Sequence, residues 1–171
     1  VKWMVDNVRK GAEEAGRNPD DVYVVSMTAF YLTDSDEEIE SRAVIEAVGP
    51  MVASSSNIFA LSSHGNPNAI PEPLRKEMLG FSGVYKEPDA PIETRHLKLY
   101  EGYLQQLKEE HVSLMTKKII QATTLTGTKN QVIGMIEEMR DAGVNQVAIQ
   151  PIRDTREVVD QVAKEIISRF S

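Results

Sequence analysis

The sequence predicts an α/β protein whose strands run parallel. Two apolar segments, Val22–Leu32 and Val144–Ile149, have the length and β-branched content of buried strands. Each follows a helical repeat of apolar residues that ends at a glycine, within the similar tripeptides Glu14-Ala15-Gly16 and Asp141-Ala142-Gly143. The two helix-to-strand units lie far apart in the chain, which is typical of two βα units of one barrel and not of a solenoid repeat.

The second unit carries the clearest local signals. Thr128 and Gln131 have the spacing of a capping box, which predicts that a helix begins after Thr128. The apolar residues that follow share one helical face; they are Val132, Met135, Ile136 and Met139. After the second strand, Asp154 is predicted to cap a last helix that reaches Phe170.

The first unit begins abruptly. Apolar residues from Val1 to Ala15 form a helical stripe, in which Trp3 is expected to pack, yet nothing before Val1 could cap this helix. We therefore expect the chain to be a truncated piece of a longer protein or, alternatively, a natural split subunit. Beyond the strand, Ser35 is predicted to cap a helix that continues to Val48, where Gly49-Pro50 interrupts it.

A loop-rich insertion of about residues 62–122 separates the two units. Its first part is rich in glycine and proline around one short helix near Pro73–Met78. A longer helix is predicted from Ile92, with Leu97, Tyr100, Leu104 and Leu107 on one face, and another over Val112–Ala122. Such loops in barrels commonly build or cover the active site.

Composition and charge exclude several classes of function. The chain has 171 residues with no cysteine, so it has neither a disulfide framework nor a thiolate site, as expected of a cytoplasmic protein. Its net charge of −7 argues against binding to nucleic acid or to an anionic membrane surface. No apolar run approaches the ~18 residues of a membrane span. Small-molecule partners are favoured.

Four segments carry a resemblance to a known family. They are Leu125-Thr-Gly-Thr128 before the last barrel helix, Gly11–Val22 at the entry to a strand, Ala53–Ser62 in the next helix, and Arg95–Leu104 in an insertion helix. In this order and spacing, they resemble the carboxy-terminal part of the luciferase-like flavin- or deazaflavin-dependent oxidoreductases. The resemblance covers nearly the whole chain.

The resemblance implies a fold and a cofactor. Residues 1–171 would be the carboxy-terminal part of one (β/α)8 TIM-barrel domain, with its last two βα units and the insertion between them. A reduced cofactor, FMN or a deazaflavin, would bind at the barrel mouth and transfer hydride or activate oxygen for monooxygenation. Because a complete barrel needs about 250 residues, the piece would be inactive alone. Its open strand edges would need the amino-terminal part of the barrel or a second copy, and a flavin reductase is a possible further partner.

Three residues are candidates for binding the cofactor. Catalytic and ligand groups of barrels lie at the carboxyl ends of strands, and Tyr31, Gln150 and Arg153 occupy those positions in the two predicted units. The alternative is that these side chains only cap the strands.

Three other residues are candidates for binding substrate. His64 lies in Ser63-His64-Gly65, which suits a polar turn or a hydrogen bond to substrate or flavin at the barrel mouth. Arg95 and His96 begin an insertion helix, and a guanidinium beside an imidazole suits an anionic substrate or a cofactor phosphate. The alternative for Arg95 and His96 is an exposed helix start. Tyr103 stands where many family members have histidine, which puts in doubt a proton-transfer role at that position.

Other chemistry finds little support. The three histidines lack the spacing of metal ligands, so no metal site is predicted. No Gly-x-Ser-x-Gly elbow accompanies Ser63, and no phosphate-binding glycine motif occurs. The catalytic residues stay unknown. Two alternatives to an oxidoreductase remain open, a non-catalytic partial-barrel flavoprotein or assembly subunit, and an unrelated phosphate-handling barrel enzyme.

Overall fold

The computed structural model of the chain describes residues 1–62, 66, 68, 70–84, 89–99 and 104–170. The strands are β1 (Val25–Thr28), β2 (Phe30–Leu32), β3 (Leu125–Gly127) and β4 (Gln146–Ile149). The helices are α1 (Lys2–Glu14), α2 (Arg42–Ser62), α3 (Arg75–Val84), α4 (Arg95–Leu99), α5 (Glu109–Val112), α6 (Lys117–Thr123), α7 (Lys129–Asp141), α8 (Thr155–Gln161) and α9 (Ser168–Phe170). A π-helical stretch, Val162–Ile167, joins the last two. In this part of the chain, no helix has the length and apolar character needed to cross a membrane.

The strands are parallel, as the sequence predicts. β1 pairs with β4, and β2 pairs with β3. The carbonyl of Thr28 accepts a hydrogen bond from the amide of Gln150 at 2.8 Å, whereas the carbonyl of the next residue, Ala29, accepts from Leu125 at 2.9 Å. Because successive carbonyls of a strand point to opposite edges, β4 and β3 flank the segment 25–32 on opposite sides. The two predicted strands are therefore neighbours, while the partial-barrel interpretation stays a prediction.

The boundaries of the strands correct the sequence analysis. The segment predicted as one strand, Val22–Leu32, forms two strands that meet at Ala29, where the pairing changes from one edge to the other. Val144–Ile149 contains β4, which is half-buried and not a core strand throughout. β3 was not predicted as a strand, although all three of its residues are buried.

The structure confirms the two glycines that are predicted to end the helices ahead of the strands. Gly16 has a φ of +69° after α1, and Gly143 has a φ of +94° after α7. These left-handed conformations favour glycine, because a Cβ atom would be strained there. The capping box of α7 is also confirmed, with the amide of Thr128 donating to Gln131 Oε1 at 2.8 Å.

The helix after β2 differs from its prediction at both ends. Ser35 makes no capping hydrogen bond within the described residues, and Ser41 caps α2 instead by accepting from the amide of Val44 at 3.3 Å. α2 then continues through Gly49 and Pro50 without interruption. Its buried residues anchor it on both sides of the proline; they are Val44, Val48, Met51 and Val52. Their burial outweighs the backbone hydrogen bond that a proline removes.

The insertion contains shorter helices than predicted. The helix expected from Ile92 is confined to α4 in the described residues, and Leu104 has a φ of +59°, outside helical geometry. The helix expected over Val112–Ala122 is divided into α5 and α6, and Thr116 caps α6 through the amide of Ile119. Asp154 does precede α8, but in a left-handed conformation and without a side-chain capping bond in the described structure.

Two hydrophobic clusters cover the two faces of the strands. Ala29 belongs to a cluster formed mainly by α2, α3 and α6. The adjacent Phe30 belongs to the other cluster, with Leu125, Val132 and Ile166. Because neighbouring side chains of a strand point to opposite faces, helices pack on both sides of the segment at Ala29 and Phe30, as parallel strands require.

This cover leaves the amino-terminal half of one face open. Val25 and Met27 of β1 are 49% and 61% exposed, so the prediction of a buried strand is wrong for this half. Trp3 of α1 is 62% exposed, contrary to the expectation that it packs. The apolar sequence of α1 and β1 therefore exceeds what the described residues bury.

Candidate functional site

A small cavity lies at the carboxyl ends of β2 and β4. It has a volume of about 120 Å³, and its wall includes Phe30 and Leu32 from β2 and Ile152 from the segment after β4. The amide of Gln150 donates to the carbonyl of Thr28, which holds the start of that segment against the neighbouring strand. The cavity is thus built on the strand ends themselves.

The three predicted cofactor-binding residues meet around this cavity. Tyr31, Gln150 and Arg153 all line it, although 119 positions separate the first from the second. Tyr31 is half-buried and also packs on the cluster beneath α2, whereas Arg153 is exposed. If each side chain only capped its own strand, the three residues would not need to line one cavity.

A larger cleft adjoins the small cavity. The two share Leu32, Asp154, Glu157 and Gln161, and the cleft has a volume of about 920 Å³. Cofactor and ligand pockets are typically about 300–1,000 Å³, so the cleft has the size for a flavin-like ring system and the small cavity does not. We treat the two spaces as one site and call it the carboxyl-end cleft. The residues around the small cavity form its inner end.

The carboxyl-end cleft is lined by both signs of charge. Its cations are Lys129, Arg156 and Lys164, and its carboxylates are Asp34, Asp154, Glu157, Asp160 and Glu165. Lys129 Nζ donates to Glu165 Oε2 at 2.9 Å, so that the beginning of α7 is joined to the π-helical stretch across the cleft. This hydrogen bond lowers the pKa of the Glu165 carboxyl, and Lys164 lowers it further.

One wall of the cleft is fixed by contacts around the beginning of α7. The amide of Thr33, directly after β2, donates to the carbonyl of Gly127 at 2.9 Å. Gln131 Nε2 donates to Asp36 Oδ1 at 2.7 Å, while its carboxamide oxygen holds the amide of Thr128. The ion pair with Lys117 chiefly, and the bond from Gln131, lower the pKa of Asp36.

The same wall contains an unused hydrogen-bonding group. Thr33 lines the cleft, is 7% exposed, and its hydroxyl oxygen is buried with no partner among the described residues. A buried hydroxyl without a partner is costly in a folded protein. A ligand group or a water that reached this oxygen would satisfy it.

Of the predicted substrate-binding residues, the two that the structure describes, Arg95 and His96, are not brought to this cleft. His64 and Tyr103 lie outside the described residues. Arg95 is half-buried on α4 and its Nε donates to the carbonyl of Ala90 at 3.3 Å, and His96 next to it is exposed. Neither residue lines any of the described cavities.

A buried histidine in the insertion was not singled out by the sequence. His111 is 5% exposed and stacks on Phe81, with ring centroids 5.7 Å apart. Burial lowers its pKa, and its Nε2 has no hydrogen-bond partner in the described residues. His111 is therefore a core residue and does not line the cleft.

The chemistry of the cleft is that of a binding site. Its described lining includes carboxylates, amines, one guanidinium and, at the inner wall, the Tyr31 phenol and Arg153, but neither an imidazole nor a thiol. These groups can orient a polar ring system and hold its charged substituents. Sequence reasoning missed Lys129 and Glu165, because 36 positions separate them and only the fold brings them together.

Comparisons with known proteins agree on one family. The model of the luciferase-like monooxygenase family matches residues 1–146. The 5,10-methylenetetrahydromethanopterin reductase of Methanopyrus kandleri is 25% identical, over 97% of this chain and 40% of its own length. A solved structure, that of the coenzyme F420 dependent tetrahydromethanopterin reductase from the same organism, is similar in fold with a TM-score of 0.54 at 20% identity, over 99% of this chain and 42% of that one. The chain thus spans about two fifths of the relatives it matches.

Proposed function

The chain belongs to the luciferase-like monooxygenase family, and on that premise we propose that it forms the cofactor-binding end of a deazaflavin-dependent oxidoreductase. The similar reductase from Methanopyrus kandleri supports an oxidoreductase, and the name of the structural relative, which includes coenzyme F420, favours a deazaflavin over FMN. The complete protein would act on a small-molecule substrate.

The observation that carries the proposal is the carboxyl-end cleft. Tyr31, Gln150 and Arg153 share its inner wall, and its volume suits a tricyclic ring. The unpartnered Thr33 hydroxyl supplies a further donor or acceptor at the wall. Size and donor set therefore fit a flavin-like cofactor.

Each residue has a distinct role in this proposal. The ring of Tyr31 would pack beside the cofactor ring, and the carboxamide of Gln150 would hydrogen-bond to its polar edge. Arg153 would hold an anionic substituent. When bound and reduced, a deazaflavin supplies a hydride, and the protein contributes position and exclusion of water.

The proposal includes a partial barrel. β1 and β4 would be neighbouring strands of a (β/α)8 barrel, with the remaining strands on other polypeptide, either the amino-terminal part of the barrel or a second copy. The 171 residues alone would bind cofactor weakly and would not turn over substrate, because most of the barrel mouth would be missing. Arg95, His96 and His64 would then contact substrate only once the mouth is complete.

Fluorescence titration of the 171-residue chain with coenzyme F420, and separately with FMN, tests the proposal. We expect saturable binding with a preference for F420, and Arg153→Ala should weaken it about tenfold, as for loss of a hydrogen bond between charged groups. Arg17→Ala, which removes an exposed guanidinium at the end of α1, is the matched control. Absence of saturable binding of both cofactors, or equal effects of the two variants, would contradict the proposal.

A second candidate is a non-catalytic partial-barrel flavoprotein or assembly subunit. The open apolar face of α1 and β1 favours it, because an assembly subunit needs a surface to bind its neighbours. Tight FMN binding with no hydride transfer in the complete assembly would support this candidate over the oxidoreductase.

A further inference from the structure

One carboxylate outside the carboxyl-end cleft joins two helices that lie on different sides of it in the chain. Asp36, in the turn after β2, accepts a hydrogen bond from Gln131 Nε2 at 2.7 Å and forms an ion pair with Lys117 Nζ. Gln131 belongs to the first turn of α7, whereas Lys117 is the first residue of α6. The partners lie 95 and 81 positions from Asp36 in the sequence. Only the fold brings the three side chains together.

α6 is anchored in the core at the end of the insertion. Ile119 and Ile120 are fully buried in the cluster that α2 and α3 also form. The amide of Lys117 donates to Glu40 Oε1, which is a second contact with the turn that carries Asp36. α6 therefore provides a fixed point from which Asp36 can hold the beginning of α7.

The contacts of Gln131 continue this link into the cleft. The carboxamide oxygen of Gln131 accepts from the amide of Thr128 at 2.8 Å and from its hydroxyl at 3.1 Å. Lys129, the next residue, reaches across the cleft to Glu165 Oε2 at 2.9 Å. Because Thr128 and Lys129 are consecutive, a shift of the Thr128 backbone would move the Lys129 ammonium relative to Glu165.

We propose that Asp36 is a positioning residue of the carboxyl-end cleft, which acts through Gln131 and ties the Lys129 ammonium to the end of the insertion. An ammonium in the cleft suits an anionic substituent of a cofactor, and this consequence rests on the proposed function. The insertion also carries Arg95 and His96, the predicted substrate-binding residues. A displacement of α6 would therefore change how the cleft holds its ligand.

The contribution of Asp36 concerns position more than stability. The side chains of Asp36 and Lys117 are 42% and 41% exposed, and ion pairs between exposed side chains contribute little to folding. Lys117 chiefly, and then Gln131, lower the pKa of Asp36, so the carboxylate keeps its charge at neutral pH. Loss of this charge should alter the cleft while the chain stays folded.

Titration of the Glu165 carboxyl by NMR tests the link without any cofactor. Lys129 chiefly lowers the pKa of Glu165, so Asp36→Ala should raise this pKa towards its ordinary value as Lys129 moves away. Glu46→Ala is the matched control, because it removes a carboxylate of similar exposure, 45% against 42%, from an ion pair with Arg42 that does not line the cleft. Glu165 should titrate in this control as in the parent protein.

Two neighbouring lysines of α6 test the connection with the insertion. Lys117→Met breaks the pair with Asp36 and should shift the Glu165 titration in the same direction as Asp36→Ala does. Lys118→Met breaks instead an ion pair with Glu77 at 3.0 Å, whose side chain is only 15% exposed, and should leave the Glu165 titration unchanged. Circular dichroism checks that each variant folds, and each matched pair decides the question without the other.

Fluorescence titration with coenzyme F420 measures the consequence for binding. Asp36→Ala should weaken binding about three- to tenfold, as for the loss of one hydrogen bond to a charged group. Lys117→Met should weaken it about two- to fivefold, as for the loss of an exposed ion pair. The control variants Glu46→Ala and Lys118→Met should bind coenzyme F420 as the parent protein does.

An unchanged Glu165 titration in Asp36→Ala would overturn the proposal, as would equal shifts in the two variants of either matched pair. Equal affinity of Asp36→Ala and the parent protein for coenzyme F420 would overturn it as well, and would leave the proposed function standing. Conversely, a chain that binds neither coenzyme F420 nor FMN, but shows the Glu165 shift in Asp36→Ala and Lys117→Met alone, would contradict the proposed function and support the link.

Discussion

Gly127 sets the geometry of the wall on which the carboxyl-end cleft depends, and its replacement by alanine gives a quantitative prediction. Gly127 ends β3 with a φ of +153°. Residues other than glycine rarely adopt this backbone conformation. A Cβ atom at this position would lie 2.7 Å from Gln131 Oε1 and 3.2 Å from Gln131 Cβ. The substitution therefore strains the backbone and displaces the Gln131 carboxamide.

The cost has two parts. A strained backbone conformation costs on the order of 1–3 kcal/mol. Displacement of Gln131 loses its bond from the amide of Thr128 and its bond to Asp36, and loss of a helix cap costs about 0.5–2 kcal/mol. Together these parts predict that Gly127→Ala lowers the free energy of unfolding by about 1.5–5 kcal/mol, which corresponds to a fall of roughly 3–20 °C in the thermal midpoint.

Urea denaturation followed by circular dichroism measures this change, with Gly134→Ala as the control. Gly134 lies inside α7, and a Cβ atom there would meet no atom within 4 Å. Alanine at this position should stabilise the helix by about 0.5–1 kcal/mol. A Gly127→Ala protein as stable as the parent, or equal losses in the two variants, would refute the reasoning.

Two further predictions concern the core around the insertion. Ile119 is fully buried, so Ile119→Ala should lower the free energy of unfolding, measured in urea, by about 2–5 kcal/mol. Ile92 is 70% exposed, so Ile92→Ala should change it by less than about 0.5 kcal/mol. Similar effects of the two variants would contradict the described core. Burial lowers the pKa of His111, so the imidazole binds a proton more readily in the unfolded chain than in the folded one. The free energy of unfolding should therefore fall as pH drops below about 6.5, by at most about 1.4 kcal/mol per pH unit. His111→Phe should remove this part of the pH dependence in urea titrations at several pH values, and an unchanged slope would show that His111 does not cause it.

The sequence was most informative where local signals and tertiary contacts agree. Both helix-to-strand units were predicted, because Gly16 and Gly143 must adopt left-handed conformations that mark the helix ends. The capping box at Thr128 is likewise a local feature that needs no distant partner. These signals also placed Tyr31 and Gln150 at strand ends, which is why they share a cavity in the fold.

Predictions failed where distant contacts decide the local structure. α2 continues through Pro50 because its apolar residues on both sides are held in the core. β3 has three residues, too few for a detectable periodicity, and exists through its pairing with β2 about 95 positions earlier. The ion pair of Lys129 with Glu165 across the cleft depends in the same way on packing of α7 against the π-helical stretch.

The exposed half of β1 is a different kind of failure. An apolar strand sequence predicts burial, but it does not say which chain provides the cover. Val25 and Met27 have the composition of core residues and lie at the surface of the described structure.

Hydrogen–deuterium exchange of the 171-residue chain, with and without coenzyme F420, tests the central claim most directly. If the cofactor binds in the carboxyl-end cleft, amide exchange should slow in two separate segments, residues 31–34 and residues 150–157. Protection confined to other parts of the chain, or unchanged exchange at cofactor concentrations that saturate the fluorescence titration, would contradict the account.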